Sequence, residues 1–312
     1  MSIGLSIAAM LAVPGCGKRT HALTVGFSQE GAESDWRAAN TASIRKAAAD
    51  AGVELKFTDS QEQVQNQIRA LDTFAQQRLD VVAFSPQAEL GWEPVLQRLR
   101  EANIPVIVSD RNVKVSDPSL QPIFIGSDLR QEGRRAGAWL AGHTKGRCRV
   151  VILEGNAGST PTLDRTGGFE EAIKPFPGIT VVERRNGDFK RALGKERMET
   201  ILKSPEGRDL TALYAENDDM AIGAIQALEA AGKRPGKDVL VISIDAGRDA
   251  LQLLIDGKLN CSIECNPLLG PAIMDAARRL HNHEAVPARV ITDEALFDDP
   301  EQVRKIIGAR QY

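Results

Sequence analysis

Short apolar runs and longer amphipathic stretches alternate along this chain, and each run ends abruptly in a polar side chain. Residues 105–109 (Pro-Val-Ile-Val-Ser) stop at Asp110 and Arg111. Residues 23–29 end in Ser28 and Gln29, 212–216 lead into Asn217, and 239–244 end at Asp245. Runs this short and this apolar predict strands buried on both faces, as in parallel sheets. Parallel strands point their carboxyl ends at one edge, where open α/β sheets bind ligands. Asp110, Arg111, Asn217 and Asp245 are therefore expected to share a cleft.

Between the runs, apolar residues recur at helical spacing, as Val64, Ile68, Leu71 and Ala75 do. Strands are predicted at 23–29, 54–58, 80–85, 105–109 and 122–126, with helices at 36–51, 64–75 and 93–102. Ser34 or Asp35 can cap the first helix and Gly52 can stop it. A second set follows. Helices at 131–143, 164–174, 193–203, 219–231 and 249–255 alternate with strands at 148–153, 179–184, 211–214, 239–244 and 261–264. A long helix at 268–282 comes next, and the tail reads as a strand at 289–296 and a helix at 300–307. Two βα sets without a Pro/Gly-rich linker predict two parallel-sheet lobes joined by a hinge.

Composition adds little to the fold and more to the setting. The chain has 312 residues and a net charge of −3, so nothing points to nucleic acid. Aromatic residues make up only 4%, which singles out Trp36, Trp92 and Trp139. Residues 3–15 form the longest nearly uncharged stretch, too short to span a bilayer and of a length suited to a secretory leader. Cys16 closes it, a lipobox-like ending that marks Cys16 for lipid attachment; cleavage after Ala22 is the alternative. No Lys or Arg precedes the apolar run. Cys148, Cys261 and Cys265 read as small buried residues rather than a disulfide framework.

Catalytic signatures are missing. Residues 15–18 (Gly-Cys-Gly-Lys) fail the phosphate-loop pattern, because residue 12 is Ala and residue 19 is Arg. There is no Gly-x-Ser-x-Gly elbow, and no Gly-x-Gly-x-x-Gly follows a strand. His281 and His283 read as a solvated helix end. Asp218 reads as the cap of the helix that follows. Binding is expected rather than catalysis, with no cofactor and no metal.

The ordered set Asp110-Arg111, Asp164-Arg165 with Gly168-Phe169, Asn217-Asp218-Asp219-Met220 and Asp245 resembles the type I periplasmic sugar-binding proteins of ABC importers. Gly26-Phe27-Ser28-Gln29, Glu33-Ser34-Asp35-Trp36-Arg37, residues 91–96, and Gly187-Asp188-Phe189 look like the galactofuranose-binding branch. The resemblance spans nearly everything from residue 23 on. It implies two Rossmann-like lobes joined by a three-crossover hinge near 125–128, 264–266 and 290–293. A leader would occupy 1–21, the N-terminal lobe 22–126 plus 266–291, and the C-terminal lobe 127–265 plus 292–312.

Carried over by position, the ligand-binding set is Trp36, Arg37, Asp110, Arg111, Arg165, Phe189, Asn217, Asp245 and Glu264. Some relatives of this branch pair a cysteine at the position of Cys148 with one where this chain has Thr211. The chemistry suits sugars: arginine offers a planar fork, carboxylates accept, and aromatic faces cover C–H groups. The implied protein is an exported monomer that captures a monosaccharide, galactofuranose or a similar furanose aldose, for an ABC permease. It would touch the membrane only through a lipid at Cys16. Two rivals share the fold: the effector core of a lactose-repressor-type regulator, for which residues 1–22 are too short and apolar to form a DNA-binding helix-turn-helix, and a chemoreceptor-coupled sugar sensor.

Overall fold

The structure, a computed structural model, describes residues 22–312. The leader and Cys16 lie outside the described residues. In the first half, β1 (Thr24–Gln29), α1 (Asp35–Asp50), β2 (Glu54–Asp59), α2 (Val64–Gln76), β3 (Val81–Phe84), α3 (Glu93–Glu101), β4 (Val106–Ser109) and β5 (Ile123–Gly126) alternate. The second half repeats the scheme: α4 (Leu129–His143), β6 (Arg147–Glu154), α5 (Thr160–Ile173), β7 (Gly178–Asn186), α6 (Arg191–Lys203), β8 (Ala212–Ala215), α7 (Asp218–Ala230), β9 (Leu240–Asp245), α8 (Arg248–Ile255) and β10 (Cys261–Glu264). The chain closes with α9 (Gly270–His281), β11 (Arg289–Ile291), β12 (Leu296–Phe297) and α10 (Pro300–Ile306).

Two six-stranded sheets result. Their orders are β11-β5-β4-β3-β1-β2 and β12-β10-β9-β8-β6-β7. The first five strands of each half share one topology, with the order reversing beside β1 and beside β6. That reversal opens a crevice at the carboxyl ends of the strands. All pairings are parallel except β10 with β12. The strand expected at 289–296 is two strands, β11 in the first sheet and β12 in the second. It is divided because this stretch is itself a passage between lobes. The others follow β5 and β10.

Apolar clusters lie on both faces of each sheet. Trp36, carried on α1 of the first lobe, packs into a cluster of the second. Its indole Nε1 donates to the Cys265 carbonyl at 2.7 Å. Further bonds join the lobes at the cleft rim: Asn112 N to Thr160 Oγ1 at 2.9 Å, Glu89 N to the Gly158 carbonyl at 3.0 Å, and Lys190 to Glu62 at 2.6 Å. The lobes are closed on each other.

Helix caps follow the sequence closely, with one shift. Ser34, one of the two expected candidates, caps α1 by accepting from Arg37 N, and Asp35 is the first helical residue. Asn217, not Asp218, caps α7, accepting from Met220 N at 3.0 Å. Asp218 is the first helical residue, and its carboxylate instead accepts from Ser243, Ser262 and Gly247 N.

Candidate functional site

Asp110 follows β4 and Asp245 ends β9, the corresponding strands of the two sheets. Both have positive φ, 64° and 121°. Such backbone is costly, and it turns each carboxylate away from the continuing strand direction into the crevice. Around them, a crevice is lined by Trp36, Arg37, Asp110, Arg111, Arg165, Phe189, Asn217 and Asp245. Glu33, Ser34, Pro161 and Cys265 complete the lining.

In the first lobe, Arg37 donates to Asp110 Oδ2 at 2.6 Å, to Glu33 Oε1 at 3.2 Å and to Ser85 at 3.2 Å. Its fork is spent on protein, so Arg37 positions Asp110. The hydrogen bonds from Arg37 and Ser85 both fall on Asp110 Oδ2. Arg111 holds Glu30 with one terminal nitrogen and Asn156, across the lobe gap, with the other at 3.0 Å. Its Nε is buried without a hydrogen-bond acceptor among the described residues.

Glu30 and Glu33 face each other beside these two guanidinium groups. Burial pushes Glu30 well above the usual carboxylate range, against the pull of Arg111. Burial also acts to raise Glu33, but Arg37 and Arg111 overcome it and hold Glu33 at about 2. Of the two acids, Glu30 is the one burial raises and Glu33 the one the guanidinium groups hold low.

In the second lobe, Arg165 donates through Nε to Glu132 at 2.7 Å and through Nη1 to the Glu216 carbonyl at 2.6 Å. Its Nη2 stands 3.9 Å from Asp245, too long for a hydrogen bond, and remains available. The close approach of α4 and α5 sets this geometry. A Cβ on Gly133 would fall 2.1 Å from the Arg165 carbonyl, and one on Gly168 2.0 Å from that of Arg130. Burial lifts Asp245 well above its ordinary range, with Asp218 adding to the effect. Burial likewise pushes Asp218 up to about 7 and Glu216 up to about 8.

Phe189 sits between the two arginines, 5.6 Å from the Arg111 guanidinium and 6.0 Å from that of Arg165. It has φ of 60° and lies against Gly155, where any Cβ would meet the ring at 1.8 Å. Asn217 Nδ2 anchors this turn through the Phe189 carbonyl at 3.0 Å.

Glu264 is not brought together with the other candidates. Its carboxylate is taken by Arg310 at 2.7 Å, the Tyr312 hydroxyl at 2.8 Å and Ala295 N at 2.9 Å. It fastens the C-terminal tail to the second crossover, while the next residue, Cys265, faces the cleft. Glu30, Glu33 and Asn156 were not singled out from the sequence. Glu33 falls three residues before Trp36 in the Glu33–Arg37 motif, and that spacing ahead of the Ser34 cap is its signal in the sequence. A neighbouring hollow of about 510 Å³ shares Trp36 and Asp245 with the cleft. Across its wall, Arg191 spans Asp35 at 2.7 Å and Asp219 at 2.8 Å, latching the lobes.

Two like lobes closing on a crevice of paired Arg and Asp side chains define a two-lobed solute-binding protein. The chain belongs to the periplasmic binding protein domain family, which matches residues 25–285. It is 39% identical to the galactofuranose-binding protein YtfQ of Escherichia coli strain K12, over 91% of this chain and 90% of that protein. A Mycobacterium smegmatis structure in complex with β-D-fucofuranose superimposes with TM-score 0.90 at 47% identity, covering 93% of this chain and 96% of that one. The binding protein of the arabinose ABC transporter of Shewanella sp. ANA-3, bound to α- and β-L-arabinofuranose, gives 0.89 at 39% identity, covering 92% and 95%.

Proposed function

We propose that this protein captures a monosaccharide in its furanose form, galactofuranose or a close relative, outside the cytoplasm and delivers it to an ABC-type permease. One observation carries the reading. Arg111 with Asp110, and Arg165 with Asp245, reach the same crevice from opposite lobes, each pair with donors or acceptors left unsatisfied. A sugar hydroxyl both donates and accepts, so it completes an Arg–Asp pair in a way that no purely anionic or cationic ligand does. Phe189 and the edge of Trp36 supply apolar surface for ring C–H groups. The furanose ligands of the related structures support the ring form.

The protein acts by binding alone, as a monomer, with Arg37, Glu33 and Asn217 holding the contact residues in place. Export proceeds through the apolar leader, and a lipid at Cys16 anchors the mature chain. Thermal-shift and calorimetric titrations against ring-locked furanosides and pyranosides test the ligand, because a ligand that binds only the folded state raises the melting temperature. No shift with any furanose, or product formed from a bound sugar, would sink the reading. Cys16→Ser should release the protein from membranes; a wild-type mature chain that starts at Leu23 would show ordinary cleavage instead.

A further inference from the structure

The three crossovers meet behind the cleft, and each contributes one acidic or thiol group to the meeting point. Glu132 lies in the first turn of α4, Cys265 follows β10, and Glu294 stands between β11 and β12. A carboxylate oxygen of Glu132, the Cys265 Sγ and a carboxylate oxygen of Glu294 lie within 4.8 Å of one another. Glu132 and Cys265 are each 1% exposed. Glu294 is half-buried.

The contacts already described leave part of this cluster unused. Arg165 takes Glu132 Oε2, but Oε1 is buried with no hydrogen-bond partner among the described residues. Glu294 Oε1 accepts from Ser127, from Thr292 at 3.1 Å and from Asn266 N at 3.2 Å. Ser127 Oγ is also 3.3 Å from Cys265 Sγ. Ordered donors of this kind orient the ligands of metal sites.

We propose that Glu132, Cys265 and Glu294 form a binding site for one divalent cation of the zinc class, tying the three crossovers together. The set of one thiolate and two carboxylates selects zinc-like ions over magnesium or calcium, which take oxygen ligands. Zinc ligands sit at about 2.0–2.3 Å from the metal, so the side chains must contract by roughly 1 Å on binding. Three protein ligands leave a fourth position for water.

Metal binding at such a set displaces protons from its ligands. As the metal–sulfur bond forms, the Cys265 thiol proton leaves to solvent. Arg165 beside Glu132 opposes the cation and keeps the affinity moderate. The site shares Cys265 with the lining of the cleft and reaches Arg165 through Glu132.

The test is titration of the full-length, untagged, metal-free protein with Co²⁺, followed by displacement with Zn²⁺. One cobalt per chain is expected, with a thiolate-to-cobalt charge-transfer band and proton release that scales with buffer ionisation enthalpy. Cys265→Ser should abolish the band, and Glu294→Gln should weaken Co²⁺ binding about tenfold or more. Glu294→Gln, at a half-buried position, decides the matter if Cys265→Ser does not fold. No band at saturating Co²⁺, a band that survives Cys265→Ser, or an unchanged affinity in Glu294→Gln overturns the proposal.

Discussion

The two lobes build their halves of the cleft on one topology and fill them with opposite charge economies. In the first lobe, Glu30, Glu33 and Asp110 surround two guanidinium groups, those of Arg37 and Arg111. Burial raises Glu30 in that set, while the two guanidinium groups hold Glu33 at about 2. In the second lobe, Arg165 is the guanidinium beside Glu132 and Asp245, and burial lifts Asp245, Asp218 and Glu216 above their ordinary range. The shared switch-point topology decides where the polar groups converge. The local ratio of arginine to carboxylate decides which of them carry charge.

The largest expected effect lies in the ionised half. Arg111→Ala would leave Glu30, Asn156 and the ligand hydroxyls unpaired in a closed site, costing roughly 2–4 kcal/mol, or about 30- to 1000-fold in sugar affinity. Arg111→Lys should recover little, because lysine lacks the fork. Calorimetry giving wild-type affinity for Arg111→Ala would remove this half from the binding reading.

Ring-form selectivity ranks next, because it depends on both halves gripping one ligand. A furanoside should bind at least about tenfold more tightly than the matching pyranoside, since a site built for particular hydroxyls penalises a ligand that misplaces them. A galactofuranoside should also outbind ribose, which lacks the two-carbon tail. A pyranoside preference would overturn the furanose assignment and leave sugar binding standing.

Stability against pH tests the protonated half directly. Glu216 is raised from 4.5 to about 8 in the folded state. Between those values the folded protein holds a proton that the unfolded chain has lost, so this group makes stability fall as pH rises through that window. Glu33, depressed to about 2, acts with the opposite sign, its contribution being lost only as pH falls from 4.5 towards 2. Melting temperature should therefore decline from about pH 5 to about pH 8, and Glu216→Gln should flatten the decline. A slope identical in the two proteins would show that Glu216 does not titrate there.

The smallest effect is expected outside both halves. Glu264→Gln should leave sugar affinity within about threefold, because Glu264 holds Arg310 and Tyr312 rather than the cleft, while costing about 1 kcal/mol of stability from the weakened tail contact. A loss of affinity matching that of Arg111→Ala would return Glu264 to the ligand set.

Much of this architecture is written in local pattern. Apolar runs that stop at Asp110-Arg111, Asn217 and Asp245 announce strand ends, and strand ends in a parallel sheet share an edge whatever their separation in sequence. The βα alternation announces two lobes, and Ser34 announces the start of α1. Tertiary structure alone decided the rest. Glu264 and Cys265 are adjacent in an extended run, so their side chains point to opposite sides, and only the packed crossover shows which one meets the cleft. Whether Arg37 grips a ligand or Asp110, and that Asn156 reaches Arg111 from the other lobe, depends on residues 73 and 45 positions away. Protonation of Glu216 and Asp218 follows from desolvation, a property of the closed fold that no linear pattern encodes.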